Sequence, residues 1–398
     1  MRTDVDDDAV RIGQRVKWWR LERKLSQQVL ADRAGFSKGY ISKIESGDAR
    51  VDRRTTVETI AHSLGVTYGD LTGQPYRPDT PDMQRAHAAL AATRVAFHSS
   101  SLEYGSGVKP RPLEAIAPEI ETAADAWQRC DYAAAGQDLA RVVSELHEHV
   151  ANGDNRQRSL SLLVHGLDVA AWTARVLGHT DLAGWMAERE HEAARMTEDP
   201  TLVGFAVCTR SLMLAAAEGR RLAKVLAEST INDLGRRASG DTLELLGMLH
   251  LSAMHAVLPG DPSNYFSEAE ALARRTGDGL YLRLWFGPTN LALWKMKAAV
   301  EAGEGGRVEE IARGVNLDAL PATARRVMFY RDLGIGLGQQ RGRETDAVRA
   351  LMTAERLVPG KLRLDPLVRD TVGHMLSRAR ASAGGPEMTR LARHVGVF

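Results

Sequence analysis

The sequence predicts an all-α protein: a small N-terminal bundle of five helices, then an α-solenoid of helix pairs. Three observations predict it. Residues 9–74 carry five short segments with apolar residues at helical spacing, most of them bounded by a capping or terminating residue. From about residue 83 onward no run alternates convincingly with period two, and β-branched residues are sparse. Glycine-marked breaks then recur at Gly178, Gly219, Gly260, Gly306, Gly342 and Gly384, at intervals of 41, 41, 46, 36 and 42 residues. Each interval holds two amphipathic stretches, as in LLVHGLDVAAWTARVLGHTDLAGWMAEREHEAARM at 162–196. A period of that size, built from helix pairs, marks an α-solenoid.

The first helix shows its stripe in Ile12, Val16 and Trp19. Ser26 caps QQVLADRAG, where Leu30 and Ala34 face inward and Gly35 ends the helix. Ser37 caps the third helix, which stops at Gly47. Thr55 and Glu58 match a capping box opening a fourth helix with Val57, Ile60, Ala61 and Leu64, and TYGDL makes a last short turn. GQPYRPDTPD at 73–82 is rich in Pro and polar residues. The expected division is therefore a domain at 9–74, a linker at 75–82 and a helical domain at 83–398. SSSLEYGSGVKPRP at 99–112 is expected as a mobile loop.

A chain of 398 residues exceeds the usual single-domain size. With 44% hydrophobic but only 6% aromatic residues, its core should be mostly Ala, Leu and Val. A net charge of +1 argues against a wholly basic nucleic-acid coat and against a polybasic membrane binder. The charge is uneven, however: residues 9–74 hold twelve Lys/Arg against seven Asp/Glu, an excess of five. The start, MRTDVDDDAV, is acidic and lacks the apolar stretch of a signal peptide. No apolar run approaches the roughly 18 residues of a membrane span. Cys130 and Cys208 are too few for a disulfide framework and wrongly placed for zinc. A cytoplasmic protein without membrane, metal or cofactor is expected.

The third helix, KGYISKIES, has only Ile41 and Ile44 as large aliphatic residues. At about 100° per residue, Gly39, Ser42, Lys43 and Ser46 point the opposite way, with Lys38 and Tyr40 on the flanks. AGFS joins this helix to the second, a turn of helix-turn-helix length. A helix with so small, hydroxylated and basic a face can enter a major groove. Gly39 would allow close approach, Ser42 and Lys43 would reach base edges, and Lys38 and Tyr40 would reach phosphates. A solvated helix on a small bundle is the alternative that this helix alone leaves open.

LSQQVLADRAGFSKGYISKIESG resembles the lambda-repressor-like (Xre-type) DNA-binding domains. The matching residues are Leu25, Ser26, Gln27, Leu30, Ala31, Gly35, Ser37, Ile41, Ser42, Ile44, Glu45 and Gly47, with Arg20 upstream. The resemblance covers about residues 9–72. It implies phosphate contacts from Gln27, Ser37 and Lys38, base reading by Tyr40, Ser42 and Lys43, and a Glu45–Arg20 pair. DARVDRRTT replaces the family's usual Pro-containing loop. Arg53 and Arg54 are accordingly given a phosphate role on their charge beside a helix N-terminus alone, with plain solvated arginines as the alternative.

The helix pairs resemble degenerate tetratricopeptide repeats: Leu177, Gly178, Asp181, Leu182 and Ala183 stand where that family turns between helices, although the period here is longer. Residues 83–398 also resemble the helical sensor domains that follow such a reader in many bacterial regulators, particularly in actinobacteria. FGPTNLALW (286–294), LPATARR (320–326) and RLVPGKLRLDPLVRD (356–370) carry that likeness. It implies a concave groove for a peptide, a small effector or a protein partner. Asn290, Trp294 and Arg331 are the candidate ligand contacts. An amide can pair with a peptide backbone or cap a helix; a guanidinium can grip a ligand carboxylate or a neighbouring acid. Trp127, Trp172, Trp185, Trp285 and Trp294 could line a pocket, but core packing is the expectation for each.

LHEHV and REHEAAR bring His near Glu without H-E-x-x-H, and no Walker loop, G-x-G-x-x-G after a strand or G-x-S-x-G is present. The expected function is sequence-specific transcriptional regulation on double-stranded DNA, not catalysis. A homodimer is expected, since one recognition helix reads only a few base pairs. The alternative is an interaction adaptor whose helical groove binds a partner, with DNA contact secondary.

Overall fold

The computed structural model of the chain describes residues 11–153, 155–216, 219–258, 260–320, 322–380 and 385–397, and no strand occurs among them. Residues 9 and 10 of the expected first domain, Pro321 and the Gly384 break lie outside the described residues. Two compact units emerge: one holds the chain up to Arg77 together with 292–321 and 325–398, the other holds 78–291 and 322–324.

The first unit opens with α1 (Ile12–Glu22), α2 (Gln27–Ala34), α3 (Lys38–Ser46), α4 (Arg54–Leu64) and α5 (Tyr68–Thr72). Their ends are largely local in origin. The Ser26 hydroxyl accepts from the Val29 N–H and that of Ser37 from Tyr40, each at 3.2 Å. Gly35 and Gly47 close α2 and α3 in the left-handed conformation at φ 68° and 82°, which glycine adopts without steric cost. Gly13 serves a close approach instead. A Cβ there would lie 2.0 Å from the Ile44 carbonyl oxygen, so α1 and α3 meet backbone to backbone.

The fourth helix departs from expectation. It begins at Arg54, and the Thr55–Glu58 capping box does not form. The Glu301 carboxylate accepts instead from the N–H groups of Arg54 (3.2 Å) and Thr55 (3.1 Å) and from the Thr55 hydroxyl (3.1 Å). Glu58 turns to the Arg54 guanidinium at 2.7 Å. An acid 246 residues away in sequence thus caps α4.

The helices that supply it come later in the chain, and apart from residues 288–291 and 323–324 they belong to this first unit. They are α16 (Pro288–Ala302), α17 (Gly305–Arg313), α18 (Thr323–Gln339), α19 (Glu344–Leu357), α20 (Pro366–Arg380) and α21 (Pro386–His394). One hydrophobic core runs from Val16, Leu30, Ile41, Ile44, Val57, Ile60 and Leu71 into Met296, Val300, Val308, Leu351, Val368 and Val372. Polar ties reinforce it: Asp370 accepts from the Val51 N–H at 2.8 Å, and Arg50 donates to the Gln339 carbonyl at 3.0 Å. The stretch expected as a linker begins inside this packing. Tyr76 is buried beneath the Arg369 guanidinium at 4.3 Å, and Gln74 donates to the Leu364 carbonyl at 3.0 Å. Prolines and polar residues signal a break in helix; they do not signal freedom from packing.

The second unit comprises α6 (Pro81–His98), α7 (Leu113–Gln128), α8 (Tyr132–Gly136), α9 (Leu139–Asn152), α10 (Arg156–Val176), α11 (Thr180–Met196), α12 (Pro200–Ala216), α13 (Arg220–Gly235), α14 (Thr242–Val257) and α15 (Ser263–Thr276). From α9 to α15 each helix packs on its successor, so the array is built of consecutive pairs. Gly178, Gly219 and Gly260 fall in the turns between α10 and α11, α12 and α13, and α14 and α15, as the period requires. In the first unit Gly342 separates α18 from α19, whereas Gly306 lies within the first turn of α17. Buried Ala170, Ala174, Ala183, Ala187, Ala194 and Ala206 account for the low aromatic content. The 99–112 segment is a loop, but a pinned one. Arg111 bridges Glu119 and Glu145, each at 2.8 Å, Glu148 accepts from the Gly107 N–H at 2.9 Å, and Arg189 grips the Phe97 and Ser100 carbonyls.

Candidate nucleic-acid interface

The outward face of α3 is assembled from behind. Ile41 and Ile44 are fully buried, and Glu45 beside them is 7% exposed. Arg20 of α1 donates to Glu45 through Nε (2.6 Å) and Nη2 (2.8 Å), and the Gln27 amide adds a third bond at 2.8 Å. Burial alone would raise the Glu45 pKa; the Arg20 guanidinium and the Gln27 amide outweigh it and hold the carboxyl below its usual range. This three-member clamp ties α1, α2 and α3 together. It also shows what Gln27 does in the protein itself: its amide nitrogen is committed to Glu45.

With its back held, α3 turns Lys38, Gly39, Ser42, Lys43 and Ser46 to solvent, and Ser37 at its start is exposed too. A Cβ at Gly39 would meet nothing within 4 Å, so the surface there is open. Tyr40 is half-buried, its ring edge-on to Phe36 at 5.3 Å between centroids. The structure thus brings together Ser37, Lys38, Gly39, Ser42 and Lys43 on one accessible face, with Tyr40 on its flank.

Arg54 does not join that face as a free cation. Arg54 pairs with Glu58 and lies 4.1 Å over the Tyr68 ring. Arg53 is half-buried and points its guanidinium toward Gly303. The α4 N-terminus that was to help them hold a phosphate already carries the Glu301 carboxylate. The phosphate role expected of Arg54 is corrected accordingly, because Glu58 holds its guanidinium and Glu301 the helix end beside it; neither acid claims Arg53.

The three ligand candidates fall in different surroundings. Asn290, in the second unit, is 1% exposed; its amide nitrogen lies 3.7 Å from Met248 Sδ, and its oxygen has no hydrogen-bond partner among the described residues. Trp294, in the first unit, is 6% exposed with Lys297 5.1 Å over its ring. Arg331 is held by Asp365 at 2.9 Å and by Asp332. Burial would lower its pKa, but these two carboxylates raise it, so the guanidinium is spent on the protein's own acids. The carboxylate-gripping role expected of Arg331 is corrected to an internal ion pair. Of the five tryptophans read as core, Trp294 is buried and Trp127, Trp172 and Trp285 are half-buried. Trp185 is 62% exposed and packs edge-on to His98, a departure that its place on α11 opposite Ala183 and Ala187 explains.

Sequence reasoning passed over two acids of the second unit, Asp168 on α10 and Glu190 on α11. The signal was present: each interrupts an otherwise apolar helix face, where a charge is costly. Glu301 gave no such signal, because a carboxylate near a helix end reads as solvated.

Comparison with known proteins bears on the N-terminal segment. Residues 11–74 match a family model described as a helix-turn-helix domain. An immunity repressor protein of Bacillus phage phi105 is 38% identical over 63 residues, which are 16% of this chain and 43% of that repressor. The chain therefore spans less than half of that relative's length. Among solved structures, Bacillus thuringiensis PlcR in complex with the peptide PapR7 and DNA aligns over 67% of this chain and 95% of that one. At 12% identity and a TM-score of 0.28, that likeness is too weak to bear on this chain. The described helices, the Arg20–Glu45 clamp and the matched span agree: residues 11–74 are a helix-turn-helix domain of the lambda-repressor-like (Xre) type.

Proposed function

We propose that the chain is a sequence-specific DNA-binding transcriptional regulator, acting as a homodimer, whose helical array senses a peptide, small effector or protein partner. The observation that supports it most is the face of α3: small, hydroxylated and basic residues stand outward on a helix rigidly backed by buried Ile41, Ile44 and the Glu45 clamp. Such a face suits a major groove. Ser42 and Lys43 are its base readers, while Lys38, at the helix start, is its phosphate contact. Dimerisation would supply paired half-sites. A cytoplasmic location follows from the same reading, and no described helix is long and apolar enough to cross a membrane.

Fluorescence anisotropy on an operator, found by footprinting the upstream region, and on a scrambled duplex tests the reading. Lys43→Ala should cost about 1–3 kcal/mol on the operator and much less on the scrambled duplex. Lys38→Ala should weaken both alike and reduce the salt slope by about one ion. Unchanged affinity in both variants would overturn the assignment of α3.

A further inference from the structure

The second unit carries a carboxylate without a cation. Asp168 accepts from the Thr209 hydroxyl at 2.6 Å and from the Trp172 indole N–H. No ion pair joins it to a cation among the described residues. Nearby acids differ: Glu121 and Asp125 on α7 are both paired with Arg283, the latter at 2.9 Å. Behind Asp168 stands Glu190, fully buried, with neither oxygen hydrogen-bonded among the described residues. The two acids are close enough to repel. Burial, then the Asp168 charge, pushes Glu190 well above the usual carboxylate range, and burial pushes Asp168 up to about 6 against the pull of Thr209 and Trp172. Two buried acids that repel, with no ion-pair partner among the described residues, cost stability, and such arrangements persist where something else uses them.

The surroundings of Asp168 suit a particular guest. His165, Asp168 and Trp172 are spaced three and four apart on α10, so they share one face, and all three are only partly buried. Trp172 has Trp127 against it at 5.8 Å, and His165 has Phe205 against it at 5.2 Å. An acid flanked by aromatic rings on both sides, with a second acid close by, attracts an organic cation by charge, and the Trp172 ring already faces one cation of the chain, the Arg175 guanidinium 6.0 Å from its centroid.

We propose that the α10 face around Asp168 binds a protonated amine, with Asp168 as its counter-ion and the Trp172–Trp127 and His165–Phe205 pairs as its walls. The proposal rests on the reading of the helical array as the effector-binding part of a regulator, and it names the chemistry of that effector. The amine could belong to a small molecule or to a short peptide, and the test separates the two.

The experiment titrates the purified full chain, followed by tryptophan fluorescence and calorimetry. Probes are spermidine and cadaverine, the uncharged 1,5-pentanediol, and a lysine-containing tripeptide with its fully acetylated form. Saturable binding of an amine, at least tenfold tighter than its uncharged counterpart, is expected. Preference for spermidine or cadaverine identifies a small-molecule site; preference for the free tripeptide over the acetylated one identifies a peptide site. Asp168→Asn should lose at least tenfold in affinity while keeping the Thr209 bond. Trp172→Phe should lose the fluorescence response and part of the affinity. Absence of saturable amine binding to the unaltered chain, or equal binding of amine and diol, overturns the proposal whatever the variants do. Unchanged affinity in a folded Asp168→Asn overturns it too. Operator binding is measured separately: an amine that binds without altering DNA affinity supports the site and counts against the regulatory reading, and intact DNA binding without amine binding does the reverse.

Discussion

Glu45 in the first unit and Glu190 in the second are both helical glutamates buried from water, 7% and 0% exposed. Their surroundings are opposite. Glu45 has a guanidinium and an amide on its two oxygens, and its pKa is held down. Glu190 has no hydrogen-bond partner among the described residues and an acidic neighbour, and its pKa is driven up. A buried acid with both oxygens engaged is a structural clamp; one left with a like charge is a cost to folding that calls for a second explanation. The difference separates the part of the molecule that holds α3 rigid from the part argued to receive a cation.

The comparison breaks most visibly if the clamp is cut. Glu45→Ala leaves Arg20 buried without its partner and should cost about 3–5 kcal/mol, the usual consequence of orphaning a buried charge. Hydrogen exchange should accelerate throughout α1, α2 and α3. Glu190→Gln, by contrast, should leave the urea midpoint unchanged or raise it. A loss under about 1 kcal/mol for Glu45→Ala would erase the distinction.

The pH dependence sharpens the contrast because the signs are opposed. Glu45 titrates lower in the folded chain, so its contribution is present above its unfolded pKa and is lost as pH falls through the folded one. Asp168, raised to about 6, binds its proton more tightly folded than unfolded. Its effect therefore runs the other way: between about pH 4 and 6 the stability that Asp168 contributes is lost as pH rises, by at most about 3 kcal/mol. Burial lowers His147, His179 and His191 of the same unit to about 4, and these add stability over the same range, so each acid is read as a difference against its own variant. Between pH 4.5 and 7 the urea midpoint of the unaltered chain should fall relative to Asp168→Asn and rise relative to Glu45→Ala. Parallel movement of the two differences would refute the assignment.

A smaller effect is expected at another buried acid, Glu301, which is partnered by backbone N–H groups and a hydroxyl rather than by a side-chain cation. Glu301→Ala removes the cap from α4 and should cost about 1–2 kcal/mol, as lost helix caps do. The loss should appear as faster exchange at Arg54 and Thr55. Unaltered exchange there would mean that the cap contributes nothing.

Much of this was legible in the sequence where the cause is local. Ser26, Ser37, Gly35 and Gly47 fix the ends of α2 and α3 through bonds and dihedrals spanning a few residues, so their positions could be read directly. The Ile41–Ile44 stripe fixes which side of α3 faces out, because helical periodicity leaves no other side for Ser42 and Lys43. The glycine breaks of the second unit were legible for the same reason: a turn between paired helices is specified where it occurs.

What required the tertiary structure was every choice among partners. Thr55 and Glu58 satisfy the pattern of a capping box, yet Glu301 outcompetes them because the chain returns after more than two hundred residues to place a carboxylate at that helix end. Arg54 and Arg331 look available in sequence and are each claimed by an acid of the chain. Asp168 and Glu190 interrupt apolar helix faces in sequence, but that they repel each other and form no ion pair among the described residues shows only in space. Helix boundaries and faces are set by neighbours along the chain, whose spacing the sequence contains. The partner of a charge is set by which side chains converge in space at the lowest desolvation cost, and that convergence exists only once the chain has folded.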